Sequence, residues 1–183
     1  MSHHHHPKHG PFAVATSPQF LDVLCVFDAD TILSTYPNSM DPNNPTQIDS
    51  QYVFMVTDAA NALSGQGGGE LNLAANTGDE IRWRADTVSG GTDNTVIFYN
   101  FLPTGGGLPI SAPQANLEQV TVPLPNPQNP QQPTTQTIQS YYWSCNVNQV
   151  GSVTYHFQFG IYDSSATPKG FYEWDPFITI TQG

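Results

Sequence analysis

Oxygen-bearing side chains cluster in two polar segments of this chain, where they could bind a hard cation. The members are Asp28, Asp30, Asp41, Asn43 and Asn44 in the first segment, and Asp163 and Thr167 in the second. Calcium takes carboxylate and amide oxygens in irregular geometry, although the spacing here does not follow the EF-hand loop. Asp and Asn next to Pro also favour turns through local hydrogen bonds. The pattern leaves two interpretations open: a calcium site and ordinary turn chemistry.

An acidic residue directly follows aromatic side chains near the C-terminal end of the sequence. Tyr172, Trp174 and Asp175 lie in the segment GFYEWDP, residues 170–176. Trp and Tyr rings combine a large apolar face with a polar tip, which suits them to contacts with a sugar. We therefore predict that Trp174 or Tyr172 stacks against a ligand such as a sugar, with Asp175 beside the ring.

The sequence lacks the motifs that define common enzyme classes. It contains no G-x-S-x-G elbow, no phosphate loop ending in Gly-Lys, no H-E-x-x-H pair and no dinucleotide-binding fingerprint. His156 is the only histidine beyond residue 9, and it faces away from an apolar row, which is typical of a surface residue. We predict that the protein is not an enzyme. A hydrolase is the third hypothesis. The two carboxylates that glycoside hydrolysis needs come together only in the folded protein, so the sequence does not exclude such a pair.

The charge of the chain restricts its partners. Its 183 residues include 15 acidic side chains against 4 Lys and Arg, a formal net charge of −11. Nucleic-acid phosphates need clustered basic residues, so this composition excludes nucleic acid and argues equally against an anionic membrane surface. No apolar stretch is long enough to span a bilayer, and the N-terminus lacks a secretory signal pattern. We predict a cytoplasmic protein. Release from the cell by a route that needs no signal peptide stays open as an alternative.

The domain organisation is predicted to be simple. Residues 1–10, MSHHHHPKHG, hold five of the six histidines, and residues 1–19 are predicted to be a disordered leader or tag plus a linker. Residues 20–183 are predicted to form one domain, large enough to bury a core. Cys25 and Cys145 each lie in an apolar strand pattern, so we expect small buried hydrophobic residues and no disulfide, although a pairing is left open.

Period-2 alternation predicts strands throughout that domain. Residues 80–86 alternate charged and apolar side chains, and the turn at 89–94 leads into an apolar run at 95–101, so we predict an antiparallel pair. The clearest apolar row consists of Val153, Tyr155, Phe157, Phe159 and Ile161. Residues 118–122 are predicted to be a short strand, residues 123–135 a loop, residues 137–147 a strand, and residues 58–63 the single helical turn.

About eight or nine short strands without a sustained helical period predict an all-β fold, an antiparallel β-sandwich of jelly-roll-like or Ig-like type, with a closed barrel as the alternative. The Gly-rich run at residues 64–69 is predicted to be a flexible breaker between two of these strands. It has no following Lys or helix, so a phosphate-binding role is not expected.

An ordered set of segments resembles the bacterial AidA/PixA family, also called inclusion body proteins, over residues 20–181. The segments include FLDVL at 20–24, DTIL at 30–33, YVFMVT at 52–57, SGQG at 64–67, NTGDEIRWR at 76–84 and GFYEWDP at 170–176. The resemblance implies a small bacterial protein without catalytic residues, of a family in which some members are under quorum-sensing control and some accumulate as intracellular inclusions. The PixA members resemble methionine-rich storage proteins, whereas this chain has only 3 Met.

A second, partial resemblance concerns ligand binding. Residues 76–81 and the turn from Tyr162 to Thr167 are similar to parts of small calcium-dependent galactose-binding lectins, which hold the metal in a late loop. Those lectins place paired asparagines after the threonine, where this chain has Lys169 and Gly170.

Two hypotheses of different classes follow from the sequence. In the first, the protein is a carbohydrate-binding, lectin-like module whose affinity depends on a loop-bound calcium ion. In the second, it is a self-assembling inclusion or storage protein, a homo-oligomer whose strand edges make the contacts.

Overall fold

The computed structural model describes residues 17–104 and 109–181, so the predicted His-rich leader lies outside the described residues. Within these ranges the chain forms twelve strands, one α-helix and two short 3-10 turns at Ser50–Tyr52 and Ala59–Asn61. The helix is α1 (Ala29–Thr35), and the strands are β1 (Phe20–Phe27), β2 (Thr46–Gln47), β3 (Val53–Val56), β4 (Ala62–Ser64), β5 (Asn72–Asn76), β6 (Glu80–Thr87), β7 (Thr95–Thr104), β8 (Gln114–Leu124), β9 (Thr134–Asn146), β10 (Gly151–Tyr162), β11 (Pro168–Trp174) and β12 (Phe177–Thr181).

The described strands form two sheets that pack face to face, which confirms the all-β sandwich. Sheet A has the order β3-β1-β6-β9-β8, and sheet B has the order β2-β11-β10-β12-β5-β4, with β7 paired to β10. Both sheets are mixed rather than purely antiparallel, because β1 pairs with β6, β12 with β5 and β11 with β2 in parallel. These parallel pairs arise because the chain crosses to the other sheet between their two members.

An aromatic core fills the space between the sheets. The predicted row on β10 is buried along its whole length, and Trp83 of sheet A packs edge-on against Phe157 of sheet B at a ring-centroid distance of 5.4 Å. Phe27 of sheet A contacts Phe159 at 4.6 Å and Trp174 at 5.2 Å. Aromatic pairs in such geometries stabilise a core beyond the area that they bury.

The prediction that residues 80–86 and 95–101 pair with each other is wrong. Strand β6 pairs with β1 and β9 in sheet A, whereas β7 pairs with β10 in sheet B. Both strands carry a buried apolar row, and the two rows face each other across the core instead of lying side by side. The turn at residues 88–94 is therefore a link between sheets.

The helix also differs from the sequence prediction. Residues 29–35 form α1, where Asp28 caps the N-terminus by accepting a hydrogen bond from the Thr31 backbone N–H at 3.2 Å. Ile32 buries the inner face of this short helix. Residues 58–63, the predicted helical turn, form the 3-10 turn Ala59–Asn61 and the first two residues of β4. A seven-residue helix shows too few periods to stand out in a sequence and depends on tertiary packing.

The two cysteines are buried free thiols. Cys25 lies opposite Ala85 on one side of β6, and Cys145 lies opposite Ile81 on its other side. The two cysteines therefore lie two strand spacings apart across the sheet and are displaced by four residues along it. Their Cα atoms are much further apart than the separation that a disulfide bridges. Burial raises the pKa of Cys145 to about 12 and raises the pKa of Cys25 further above its usual range.

Candidate functional site

The second predicted cation segment is a tight turn organised by Asp163. One carboxylate oxygen of Asp163 accepts hydrogen bonds from the backbone N–H groups of Thr167 at 3.0 Å and Ser165 at 2.9 Å. These two bonds lower the pKa of the Asp163 carboxyl group, the bond from Thr167 contributing most. The side chain therefore already has a structural role, that of an acceptor that closes the turn between β10 and β11.

The first predicted cation segment does not form one cluster. Asp28 caps α1, Asp30 accepts a hydrogen bond from the Asn94 side chain at 2.7 Å, and Asp41 accepts one from the Asn43 backbone at 2.9 Å. Across residues 17–104 and 109–181, no group of three His, Cys, Asp or Glu side chains is placed to hold a metal ion. In the structure these carboxylates therefore accept hydrogen bonds at the cap of α1, within a turn and from the Asn94 side chain.

The predicted stacking platform lies inside the core, which corrects that prediction. Trp174 and Tyr172 are only 1% and 0% exposed. The Trp174 indole donates a hydrogen bond to the Gly69 carbonyl at 3.1 Å, and the Tyr172 hydroxyl donates one to the Asn38 side chain. Their rings pack against other core aromatics, so neither ring face is open to a ligand. Asp175 is exposed just after β11.

The outer face of sheet A carries the charged side chains of β6. Arg82 forms an ion pair with Glu80 at 2.8 Å, and Arg84 pairs with Asp22 on the neighbouring strand β1. The guanidinium of Arg82 also lies 3.9 Å from the Phe20 ring centroid. Both arginines are thereby satisfied within the chain, and such half-exposed pairs contribute little to stability.

The feature that the sequence did not predict is a projecting two-stranded ribbon. Strands β8 and β9 pair without interruption from Gln114 opposite Ser144 to Leu124 opposite Thr134. Strand β6 accompanies β9 only from Glu80 opposite Asn146 to Trp83 opposite Trp143. We call residues 117–124 and 134–141 the arm. In the part of the chain that the structure describes, the arm's β9 strand pairs with β8 alone.

The surface of the arm is apolar in part and almost uncharged. Its exposed apolar side chains are Leu117 (64%), Leu124 (42%), Ile138 (39%) and Tyr141 (37%). Its single formal charge is Glu118, in a chain whose formal net charge is −11. The sequence predicted strands on either side of a loop at residues 123–135, but not that these strands extend towards each other and pair as the arm. The β-branched and aromatic residues of TTQTIQSY, residues 134–141, were the available signal, because such residues favour strands.

Hydrogen bonds at its base fix the direction of the arm. The Phe98 carbonyl on β7 accepts hydrogen bonds from the Tyr141 hydroxyl at 2.7 Å and the Trp143 indole at 3.1 Å. The Tyr142 hydroxyl donates to the Glu118 carboxylate at 2.6 Å, and this bond raises the pKa of Tyr142. Partial burial likewise raises the pKa of Tyr141. The base of the arm is therefore tied to both sheets.

A groove lies between the arm and strands β6 and β7. Its volume is about 530 Å³, and it is lined by Ala85, Thr95, Val96, Ile97, Leu117, Gln139 and Tyr141. Five of these seven side chains are apolar or aromatic, which is typical of a binding groove. The groove opens where β9 leaves β6, so it runs beside the edge of β9 that pairs with no other described strand.

Comparison with known proteins identifies the family. A family model described as PixA, inclusion body protein, matches residues 19–180. A solved crystal structure of an inclusion body protein (PixA) from Burkholderia cenocepacia J2315 superposes with a TM-score of 0.78 at 20% sequence identity, covering 93% of this chain and 100% of that one. No curated protein sequence matches the chain. Among the described residues no helix is both long and apolar enough to cross a membrane. The chain belongs to the PixA family of inclusion body proteins.

Proposed function

We propose that this protein acts by self-association rather than catalysis, and that the arm makes the contact between copies. The observation that carries the proposal is that the arm presents strand edges that pair with no other described strand, and exposed apolar side chains on an almost uncharged surface. Membership in a family described as inclusion body proteins supports a role in which the protein accumulates.

Charge favours the arm over other surfaces as the site of contact. Two copies that each carry a formal net charge of −11 repel each other wherever their acidic faces approach. The arm holds one charge, Glu118, so contact through it brings few like charges together. Salt shortens the range of the repulsion, from about 30 Å at 0.01 M to about 8 Å at 0.15 M ionic strength. Association through the arm should therefore strengthen as salt is added.

The backbone of the arm supplies the other half of the interaction. An edge strand presents N–H and C=O groups that can pair with another chain, and exposed edges are the usual points of contact in β-sheet assemblies. Removing apolar side chains such as Leu117 and Ile138 from water adds about 25 cal/mol for each Å² that is buried. Together these terms favour strand pairing between copies.

Sedimentation velocity over a range of protein concentrations and salt concentrations tests the proposal. The test compares the wild type with Leu117→Lys on the arm and Leu63→Lys on β4, since both leucines are exposed, at 64% and 52%. Each substitution changes the net charge equally. We expect the average mass of the wild type and of Leu63→Lys to rise with concentration and salt, and Leu117→Lys to stay monomeric.

Two results would contradict the proposal. A wild-type protein that sediments as a monomer at every concentration and salt level would exclude self-association as its function. If Leu63→Lys blocked association and Leu117→Lys did not, the contact would lie away from the arm.

A further inference from the structure

We infer that two copies of this chain pair through the arm's β9 edges, antiparallel about a two-fold axis, to form a continuous four-stranded ribbon with the order β8-β9-β9-β8. This inference rests on the proposed self-association and specifies the edge and symmetry of the contact. The occupant of the groove beside β9 is then residues 134–141 of a second copy.

The two edges of the arm differ in the features that protect a strand from pairing. Natural edge strands are protected by charges and by Pro, which lacks the N–H that a ladder needs. Strand β8 carries both, as Glu118 and Pro123. Strand β9 carries neither a charge nor a Pro anywhere from Thr134 to Asn146. The unprotected edge is therefore that of β9.

The sheet itself leaves room for another strand at this edge. Beyond Trp83, β6 continues to Thr87 alongside β1, but its pairing with β9 ends. The resulting gap is the groove of about 530 Å³, with Val96 and Ile97 among its lining residues. A strand added to β9 at this point lies over an apolar surface on one side and pairs its backbone on the other.

Two-fold symmetry suits a strand that pairs with its own copy. In an isologous contact the same surface serves both partners, and an antiparallel strand pair has this symmetry. With Thr137 on the two-fold axis, each Thr137 lies opposite its own copy, and residues 134–140 of the two strands overlap. Every side chain in the overlapping segment is uncharged, so no like charges meet at the contact.

Cysteine crosslinking distinguishes the two edges of the arm. Thr137 on β9 and Thr121 on β8 lie directly opposite each other and are both exposed. Thr137→Cys and Thr121→Cys therefore each place a thiol at the same position along the arm and on the same face of the arm. The native Cys25 and Cys145 are buried and should not react. Neighbouring strands in a sheet are about 4.8 Å apart. In the proposed ribbon the Thr137 positions of the two copies are therefore about 4.8 Å apart, whereas the Thr121 positions are three strand spacings, about 14 Å, apart.

The experiment uses a protein concentration at which sedimentation shows that both variants associate like the wild type. We expect a short bismaleimide to crosslink Thr137→Cys into covalent dimers and to leave Thr121→Cys without crosslinks. Gln139→Cys and Gln119→Cys form a second matched pair, opposite each other and both exposed, for use if either threonine variant fails to fold or associate.

The outcomes separate this inference from the proposed function. Dimers crosslinked at Thr121→Cys alone would overturn the β9 contact in favour of the β8 edge. Association without crosslinks at either edge in both matched pairs would overturn the inference and leave self-association in place. A wild type that never associates would overturn both.

Discussion

A single methyl group added at Gly69 should destabilise the fold strongly. Gly69 is buried at the end of the Gly-rich run, against the 3-10 turn Ser50–Tyr52. A Cβ atom at this position would overlap the Ser50 carbonyl oxygen and lie 2.8 Å from the Ser50 Cβ and 2.9 Å from its carbonyl carbon. Two of these three atoms belong to the backbone, so the neighbour cannot yield by a side-chain rotation.

The magnitude follows from two contributions. Overpacking a tight site costs about 1–3 kcal/mol, because the backbone on one side has to shift. The Gly69 carbonyl accepts a hydrogen bond from the buried Trp174 indole at 3.1 Å, and leaving that N–H without a partner costs about 1–3 kcal/mol more. We expect Gly69→Ala to lower the free energy of unfolding by about 2–6 kcal/mol in total. Even the lower value corresponds to a fall in Tm of roughly 4–8 °C for a domain of this size.

Urea unfolding followed by tryptophan fluorescence measures this loss, with Gly68→Ala as the matched control. A Cβ at Gly68 would have only the Gly65 carbonyl oxygen nearby, at 3.4 Å, and Gly68 has no left-handed φ. Restricting the unfolded chain can even stabilise such a variant, by about 0.4–1 kcal/mol. If Gly69→Ala unfolded at the same urea concentration as Gly68→Ala, the steric argument would be refuted.

Three further predictions concern buried or turn-forming groups. Tyr155→Phe removes the acceptor of the Trp83 indole N–H, a buried bond of 3.2 Å, so we expect equilibrium unfolding to show a loss of about 1–3 kcal/mol; an unchanged midpoint would mean that the N–H finds another partner. Because the pKa of Asp163 is lowered in the fold, its stabilisation is full above the ordinary value of 3.8 and is lost as pH falls through the lower folded value. The stability difference between the wild type and Asp163→Ala should therefore shrink on acidification, and a constant difference would contradict the carboxylate's role. Burial raises the pKa of Cys25 and of Cys145, so a thiol reagent at mildly alkaline pH should label neither in the folded protein and both after unfolding; rapid labelling of the native protein would contradict their burial.

The burial pattern of the strands could be predicted from the sequence. Val153, Tyr155, Phe157, Phe159 and Ile161 alternate with more polar residues, and the structure buries all five. The all-β class and the resemblance to the AidA/PixA family are likewise confirmed by the fold and by the family match. These predictions succeed because side-chain alternation along one strand is a local property.

Strand pairing could not be predicted in the same way. The turn at residues 88–94 looks like a hairpin connection, yet it joins β6 in sheet A to β7 in sheet B. Alternation shows which face of a strand is buried but not which neighbour completes its hydrogen bonds. An apolar row on each of two successive strands fits a shared sheet and two facing sheets equally well.

The roles of individual side chains depended even more on the tertiary structure. Trp174 and Tyr172 are residue types that suit an exposed platform for a ligand, but in the structure both are buried in the core between the sheets. Asp163 is a residue type that suits a cation site, but one of its oxygens accepts two hydrogen bonds from backbone N–H groups of its own turn. A residue type specifies what a side chain can do, and its surroundings decide which of these uses remains.

By itself, the sequence determined a strongly acidic, all-β protein of the PixA family, and it determined which side chains of each strand form the apolar row that faces the core. Only the tertiary structure decided that β9 extends beyond β6 and leaves an uncharged edge beside an apolar groove. The physical reason is that composition and alternation act within a strand, whereas an open edge exists only where a neighbouring strand ends, and that is a property of the assembled sheet.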